Sequence, residues 1–440
     1  MKIVKISILL VAAFAVMFGL STTSFAFHSG GVAECEGCHS MHNSFEGSAN
    51  VTGRTFAQGT GPYLLKANDQ SGACLNCHNA ADIAPSSYHI STNGITANDS
   101  TTPVEMTPGG DFAWLKKTMT FVVRGNTNTN DGARHGHNIV AADYGYVVDD
   151  LLTVAPGGSY PAGNLACSSC HDPHGRYRRF ADNTYATTGL PIFNSGSYNN
   201  SKDPISGVAA VGAYRILGGD GYEPKSTPGY AFTTDPMDVV VASTYNRSEA
   251  TDQTGISYGK NVAEWCANCH TGMLQDSFTS GMAGLRHPAG NNAKLTAEIV
   301  TNYNAYVTSG IMTNATANKA FSSLAPFATD TQDRVSMKSQ ATTSAGGASN
   351  HAAAAITDNV TCLSCHRAHA TAFESMIRWN YAGNEFMTAA DSANAAIYDS
   401  VNGRGTGYSQ TQSQNAYYGR PATAFGPNAR SFCNKCHAKD

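Results

Sequence analysis

Cys35-Glu36-Gly37-Cys38-His39-Ser40-Met41-His42 decides how this chain must be read. Two cysteines separated by two residues, with a histidine directly after the second, bring two thiols and an imidazole together within five residues. That set suits covalent attachment of one haem, each thiol adding to a vinyl group while the histidine ligates the iron. The arrangement recurs as Cys74-Cys77-His78, Cys167-Cys170-His171, Cys266-Cys269-His270, Cys362-Cys365-His366 and Cys433-Cys436-His437, so that six motifs use all 12 cysteines. A single motif could be chance or a redox dithiol. Six with no cysteine left over imply six covalently attached c-type haems, and a disulfide framework would leave six histidines after the cysteines by accident.

The N-terminus fits that chemistry. Lys2 and Lys5 precede an apolar run from Ile6 to about Leu20, and Ser24-Phe25-Ala26 offers a small-x-small cleavage site, so residues 1–26 read as a secretory signal peptide. The run is short for a membrane-spanning helix, and no later stretch reaches the length one needs. The expectation is therefore an exported chain starting at Phe27, made where paired cysteines would otherwise form disulfides.

Removing 26 of 440 residues leaves 414 for six haems. Glycine contributes 43 residues, charged residues only 14%, and tracts such as 91–102 and 342–350 are built from Ser, Thr, Asn, Ala and Gly. Such tracts favour loops over helices or sheets. The expected fold is a multihaem cytochrome c, mostly irregular coil wrapped around a haem chain, with few short α-helices and minimal β-structure. Residues 27–440 are expected to form one continuous body. The formal charge is −4 and becomes −6 once Lys2 and Lys5 are removed, before haem propionates add more. No basic balance points to nucleic acid.

Successive motif histidines lie 39, 93, 99, 96 and 71 residues apart, so the motifs are not a tandem repeat. Near-helical spacing of Leu295, Ile299, Tyr303 or Tyr306 and Val307 predicts one helix, and a shorter one is expected from about Thr371 to Trp379. Met119–Val123 and Ala213–Leu217 read as short strands, and Pro108-Gly109-Gly110, Pro156-Gly157-Gly158 and 218–221 as turns.

Each iron has two axial positions, and His39, His78, His171, His270, His366 and His437 fill one apiece. What fills the other separates electron transfer from catalysis, because a second strong ligand closes the site to small molecules. Of 15 histidines nine remain, enough for complete bis-histidine ligation. His42, His174 and His369 each follow a motif histidine by three residues. That distance is too short to reach the far face of the same porphyrin, so each is expected to ligate a neighbouring haem. His89, His137, His287 and His28 complete the candidate set. His135 lies two residues before His137, where both could not easily serve one iron, and His351 precedes an alanine run typical of a surface position.

Six regular motifs and surplus histidines favour relay of electrons over a reductase, which needs an open iron site; a haem-dense binding scaffold shares every one of these features and differs only in whether electrons flow. A discrete periplasmic or outer-surface carrier stays open as an alternative to a polymer.

The segment 27–39, Cys167-Ser-Ser-Cys-His-Asp-Pro-His174-Gly175, Ala213-Tyr-Arg-Ile-Leu-Gly-Gly219, Glu264-Trp-Cys-Ala-Asn-Cys-His270, Cys362-Leu-Ser-Cys-His-Arg-Ala-His-Ala370 and Cys433-Asn-Lys-Cys-His-Ala-Lys-Asp440 together closely resemble the OmcS-type filament-forming hexahaem cytochromes of metal-reducing Geobacter bacteria. The likeness spans essentially the whole mature chain. It implies extracellular filaments in which bis-histidine haems form one continuous chain carrying electrons to metal oxides or other cells, with redox-partner cytochromes as donors or acceptors. It also implies that one iron takes its second ligand from a neighbouring copy. The matching residue is His42 and the matching acceptor is the fifth haem, held by Cys362, Cys365 and His366. The shared Gly-His-Asn-Ile pattern favours His137 over His135. The departures lie mainly in loops, particularly 310–350.

Overall fold

Regular structure among the described residues comes in short pieces, and the motifs themselves form several of them. The computed structural model describes residues 35–40, 44–45, 48–49, 64–80, 89–123, 125–174, 217–237, 239–241, 256–275, 288–309, 326–329, 354–380, 406–419 and 436. Helices α1 (Cys35–Cys38), α2 (Gln70–His78), α3 (Val262–Cys266) and α5 (Cys362–Cys365) all carry motif cysteines, whereas α4 (Ala297–Ser309) and α6 (Gln410–Ala416) carry none. The third motif makes a 3-10 turn at Cys167–Ser169. A helical turn is what the motif spacing asks for. The N–H groups of His171, His270 and His366 donate to the carbonyls of Cys167, Cys266 and Cys362 at 3.0, 3.0 and 2.8 Å. Four residues apart on one turn, the first cysteine and the histidine lie on the same face.

Three antiparallel pairs make up the sheets among the described residues: β1 (Ser44–Phe45) with β2 (Ser48–Ala49), β3 (Met119–Val123) with β4 (Asn126–Asn130), and β5 (Val239–Val241) with β6 (Ile256–Tyr258). The strand expected at 119–123 is β3. Its register runs from Met119 opposite Asn130 to Val123 opposite Asn126, which leaves a two-residue loop where Gly125 takes φ +79°. Glycine reaches that left-handed conformation without a Cβ clash. Of the strand expected at 213–217, residues 213–216 lie outside the described residues, and Leu217 forms an isolated bridge with His171.

The helix expected from its periodicity near 295–307 is α4, displaced by two residues. The one expected at 371–379 does not form. A single 3-10 turn stands at Glu374–Met376, with Ser375 and Met376 at φ +59° and +57°. The reason is tertiary: the chain turns there to present the Ser375 and Met376 carbonyls to His366 Nδ1 and the Arg367 N–H, at 2.7 and 2.9 Å.

The apolar core is divided into small clusters, and each reaches a motif. Leu65, Ala67 and Ala73 pack against Cys38, while Leu75, Phe112, Ile139, Ala141 and Tyr146 reach Cys167. Leu217, Met237, Val239, Tyr258, Val262 and Ala328 gather around Cys170, Trp265 and Leu363. Leu295, Tyr303, Phe327, Ala354 and Val360 approach Cys436.

Candidate haem centres

Past its helical turn, a motif is clamped in extended form against a distant segment. His39 bridges Leu65, and the Lys66 N–H donates to the Cys38 carbonyl at 2.8 Å. His171 bridges Leu217, with Gly218 donating to the Cys170 carbonyl at 2.9 Å; His366 bridges Ile377, with Arg378 donating to the Cys365 carbonyl at 2.8 Å. One device thus recurs at three motifs. The bridging residues Leu65, Leu217 and Ile377 are all aliphatic, but they pair through their backbone, so sequence reasoning did not find them.

The clamps orient imidazoles, and three histidine pairs face one another. His39 and His174 have ring centroids 6.4 Å apart with planes within 10°; His171 and His369 are 6.4 Å apart at 63°; His137 and His270 are 6.1 Å apart at 34°. A metal–imidazole bond of about 2.0 Å on each side, plus about 1.1 Å from nitrogen to ring centre, sums to about 6.2 Å across one metal ion. The spacing therefore fits two histidines holding one iron. Every pair joins a motif histidine to a histidine outside the five-residue motifs. His174 and His369, each three residues after a motif histidine, face the histidines of other motifs.

Second partners hold the rings in register. Backbone carbonyls can only accept, so Nδ1–H of His137 donates to Ala368 O at 2.7 Å, that of His270 to Pro156 O at 2.9 Å and that of His366 to Ser375 O at 2.7 Å. This fixes the tautomer and leaves Nε2 with its lone pair for a metal. Burial, and then the neighbouring His270, lower the pKa of His137 to about 4, which keeps the ring neutral; burial likewise lowers His366. Burial raises the thiols of Cys170 and Cys269, the latter to about 12. A site that penalises thiolate suits an uncharged thioether.

The turns at 108–110 and 156–158 belong to these centres. A Cβ on Gly109 would stand 2.7 Å from His369 Nδ1, and one on Gly110, which has φ +94°, would stand 1.9 Å from Ala370 O. His369 N–H donates to Gly109 O at 2.7 Å, and His137 N–H donates to His369 O at 2.9 Å. The two histidines outside the motifs are thereby tied to each other. Pro156, Ala368 and Ser375 act through carbonyls, which residue identity does not announce.

Other contacts join consecutive motifs. The Cys167 N–H donates at 3.2 Å to Ser71 Oγ, three residues before Cys74 of the second motif. Ser168 bonds Gln70, joining the second and third motifs again. Trp265 Nε1 donates at 2.8 Å to the Gly218 carbonyl in the clamp of the third motif, while the sulfur of Cys266 lies beside that of Cys362 in the fifth. Asn302 of α4 donates to the Cys436 carbonyl at 3.3 Å, and Val360, two residues before Cys362, packs in the same cluster.

Ile90, next to His89, donates to the His78 carbonyl at 3.0 Å, which places His89 beside the second motif. His135 is fully buried, with Nε2 2.9 Å from Asn130 Oδ1, and burial lowers its pKa to about 4. Among the described residues no imidazole faces His366. His28, His42, His287, His351, Cys433 and His437 lie outside the described residues, as does the side chain of Cys35. No helix among the described residues is long and apolar enough to cross a membrane.

No protein-family model matches the chain. It is 53% identical over the full length of both chains to the C-type cytochrome OmcS of Geobacter sulfurreducens. Two solved filament structures from that organism are also similar at 52% identity, each covering 94% of this chain and all of theirs. The OmcS nanowire has a TM-score of 0.76 and the outer membrane cytochrome S filament 0.74.

Proposed function

The chain belongs to the OmcS family of c-type cytochromes, and on that premise we propose that it is an extracellular electron carrier polymerised with copies of itself. Six covalent haems per copy are supported by the six motifs, and three facing histidine pairs are the observation that carries the reading. Bound haem supplies reversible one-electron chemistry at iron, while protein groups set its position, burial and potential.

The chain's residues do the holding. His39 with His174 would hold the first haem iron, His171 with His369 the third, and His270 with His137 the fourth. Two histidines per iron would leave no position for a substrate, which favours relay over turnover. The fifth motif's His366 is assigned the neighbouring copy's His42. His28, His89 and His287 remain for the second and sixth irons, with His78 and His437 as their motif ligands. Residues 1–26 leave on export, and 27–440 act as one continuous body whose acceptors are metal oxides, other extracellular acceptors or partner cytochromes.

Purified protein should give six haems per chain by pyridine haemochrome and intact mass, an all low-spin spectrum, and filaments by electron microscopy. A persistent high-spin band or nitrite turnover in the wild type would overturn the carrier reading. His42→Ala should lose filaments and turn one haem high-spin; intact filaments with a fully low-spin spectrum would rule out the shared ligand.

A further inference from the structure

Three motif histidines, His39, His171 and His366, are each followed by two residues and a second histidine. All three are held by the same antiparallel bridge, to Leu65, Leu217 and Ile377. The residue directly after the bridged histidine therefore stands in an equivalent place each time. It is Ser40 in the first motif, Asp172 in the third and Arg367 in the fifth. One position thus carries no charge, a negative charge and a positive charge in turn.

Asp172 and Arg367 are both 1% exposed, and a bound haem can only deepen that. Charges are costly to take out of water, so each is held by specific partners. Asp172 Oδ1 accepts the His174 N–H at 2.9 Å and lies 3.7 Å from His174 Nδ1. Burial, and then the Asp172 charge, hold the Tyr222 phenol above its usual range, and that phenol donates to the His171 carbonyl at 3.0 Å. The carboxylate is flanked by the ligands of two centres, His171 for the third and His174 for the first.

Arg367 is held by carbonyls and ring faces. Its Nη1 donates to Pro108 O at 3.3 Å and Thr107 O at 3.5 Å, and its guanidinium carbon stands 3.7 Å from the Tyr418 ring centre and 5.6 Å from that of Trp379. Tyr418 Oη donates to the same Thr107 carbonyl at 2.8 Å. Such partners stabilise a cation while leaving its charge in place, and a guanidinium stays protonated. The loop it grips continues to Gly109, whose carbonyl accepts the His369 N–H. Arg367 is therefore flanked by His366 of the fifth centre and His369 of the third.

Reduction adds one electron to a ferric centre and makes it ferrous, so a nearby anion opposes it and a nearby cation favours it. That sign holds whatever other groups surround the two side chains. We propose, on the histidine pairing given above, that Asp172 and Arg367 are positioning residues that grade the reduction potentials of the centres. Asp172 lowers the first centre and Arg367 raises the fifth. At the third, which takes one ligand from each of the two segments, they offset. The gradient biases an electron on a partly reduced chain from the first centre toward the fifth.

Spectroelectrochemical titration of the haem-loaded protein tests the gradient. Arg367→Gln should move part of the titration to lower potential and Asp172→Asn part of it to higher potential. Each shift should be roughly tenfold in the reduction equilibrium, or about 59 mV for one electron. Arg367→Lys keeps the charge and should stay near the wild-type curve; a shift as large as that of Arg367→Gln would count the charge out. Variants that keep six low-spin haems yet titrate like the wild type, or that both shift in one direction, overturn the proposal. Should Arg367→Gln or Asp172→Asn lose haem, Ser40→Asp decides, because it places a carboxylate in the uncharged position. A shift to lower potential supports control by charge at this place, and an unchanged curve overturns it. A wild-type chain without six low-spin haems overturns the histidine pairing itself.

Discussion

His135 and His137 stand two residues apart; His135 is fully buried and bonded to Asn130, whereas His137 is only partly covered and faces His270. His137→Ala should convert one haem in six to high-spin in optical and electron paramagnetic resonance spectra. His135→Ala should leave the spectrum low-spin and cost about 2 kcal/mol of stability through the cavity it opens. Gly110→Ala puts a methyl into the Ala370 carbonyl at a positive φ. The displaced His369 segment should give a partly high-spin third centre and a lower melting temperature. Asp358 adds a pH dependence. Burial raises its carboxyl to about 6 against the Ala355 N–H bond and the Lys294 charge. A carboxyl raised above its unfolded value stabilises the fold while protonated, so its contribution is complete below 3.8 and is lost as pH rises through about 6. In denaturant titrations, Asp358→Asn should flatten that part of the stability profile by on the order of 3 kcal/mol. An unchanged slope would mean that Asp358 titrates alike in both states.

At the scale of elements, the legible ones were those whose signal is local. The motif turns follow from cysteine and histidine spacing, and α4 from a stripe that sets Tyr303, fully buried, against Phe327 with ring centroids 4.8 Å apart. Helix α6 carries a capping box: Ser409 Oγ accepts the Gln412 N–H at 3.2 Å and Gln412 Oε1 accepts the Ser409 N–H at 2.8 Å. Ser409→Ala should cost about 1 kcal/mol in an unfolding titration. Residues 371–379 were illegible because their periodicity is overridden. Ile377 and Arg378 pair with the fifth motif, and those bonds are available only when the chain leaves the helix. The clamps at 64–66 and 217–218 were invisible for the same reason: they act through backbone, which any residue supplies.

Across the whole molecule, apolar clusters and motifs interleave, so neither is complete without the other. Chain made without haem attachment should therefore lack a cooperative thermal transition and show unprotected amides by hydrogen exchange, whereas the haem-loaded protein should show both cooperativity and protection. Cooperative melting of haem-free chain would mean that the clusters suffice alone. Contacts join the second motif to the third, the third to the fourth, the fourth to the fifth and the fifth to the sixth, while the His39–His174 and His171–His369 pairs link the first to the third and the third to the fifth.

Sequence alone determined the number and position of the Cys-x-x-Cys-His motifs, because five adjacent residues carry the whole signal and one helical turn brings them together. It also supplied nine further histidines as candidate ligands, the reading of residues 1–26 as an export signal, and a composition that makes irregular coil the default. Which imidazole faces which was decided only in the tertiary structure. His39 and His174 are 135 residues apart, His137 and His270 are 133, and His171 and His369 are 198. Closure entropy varies too slowly with loop length to choose among such partners. The choice was made by backbone clamps and by glycine turns that leave room for a ring.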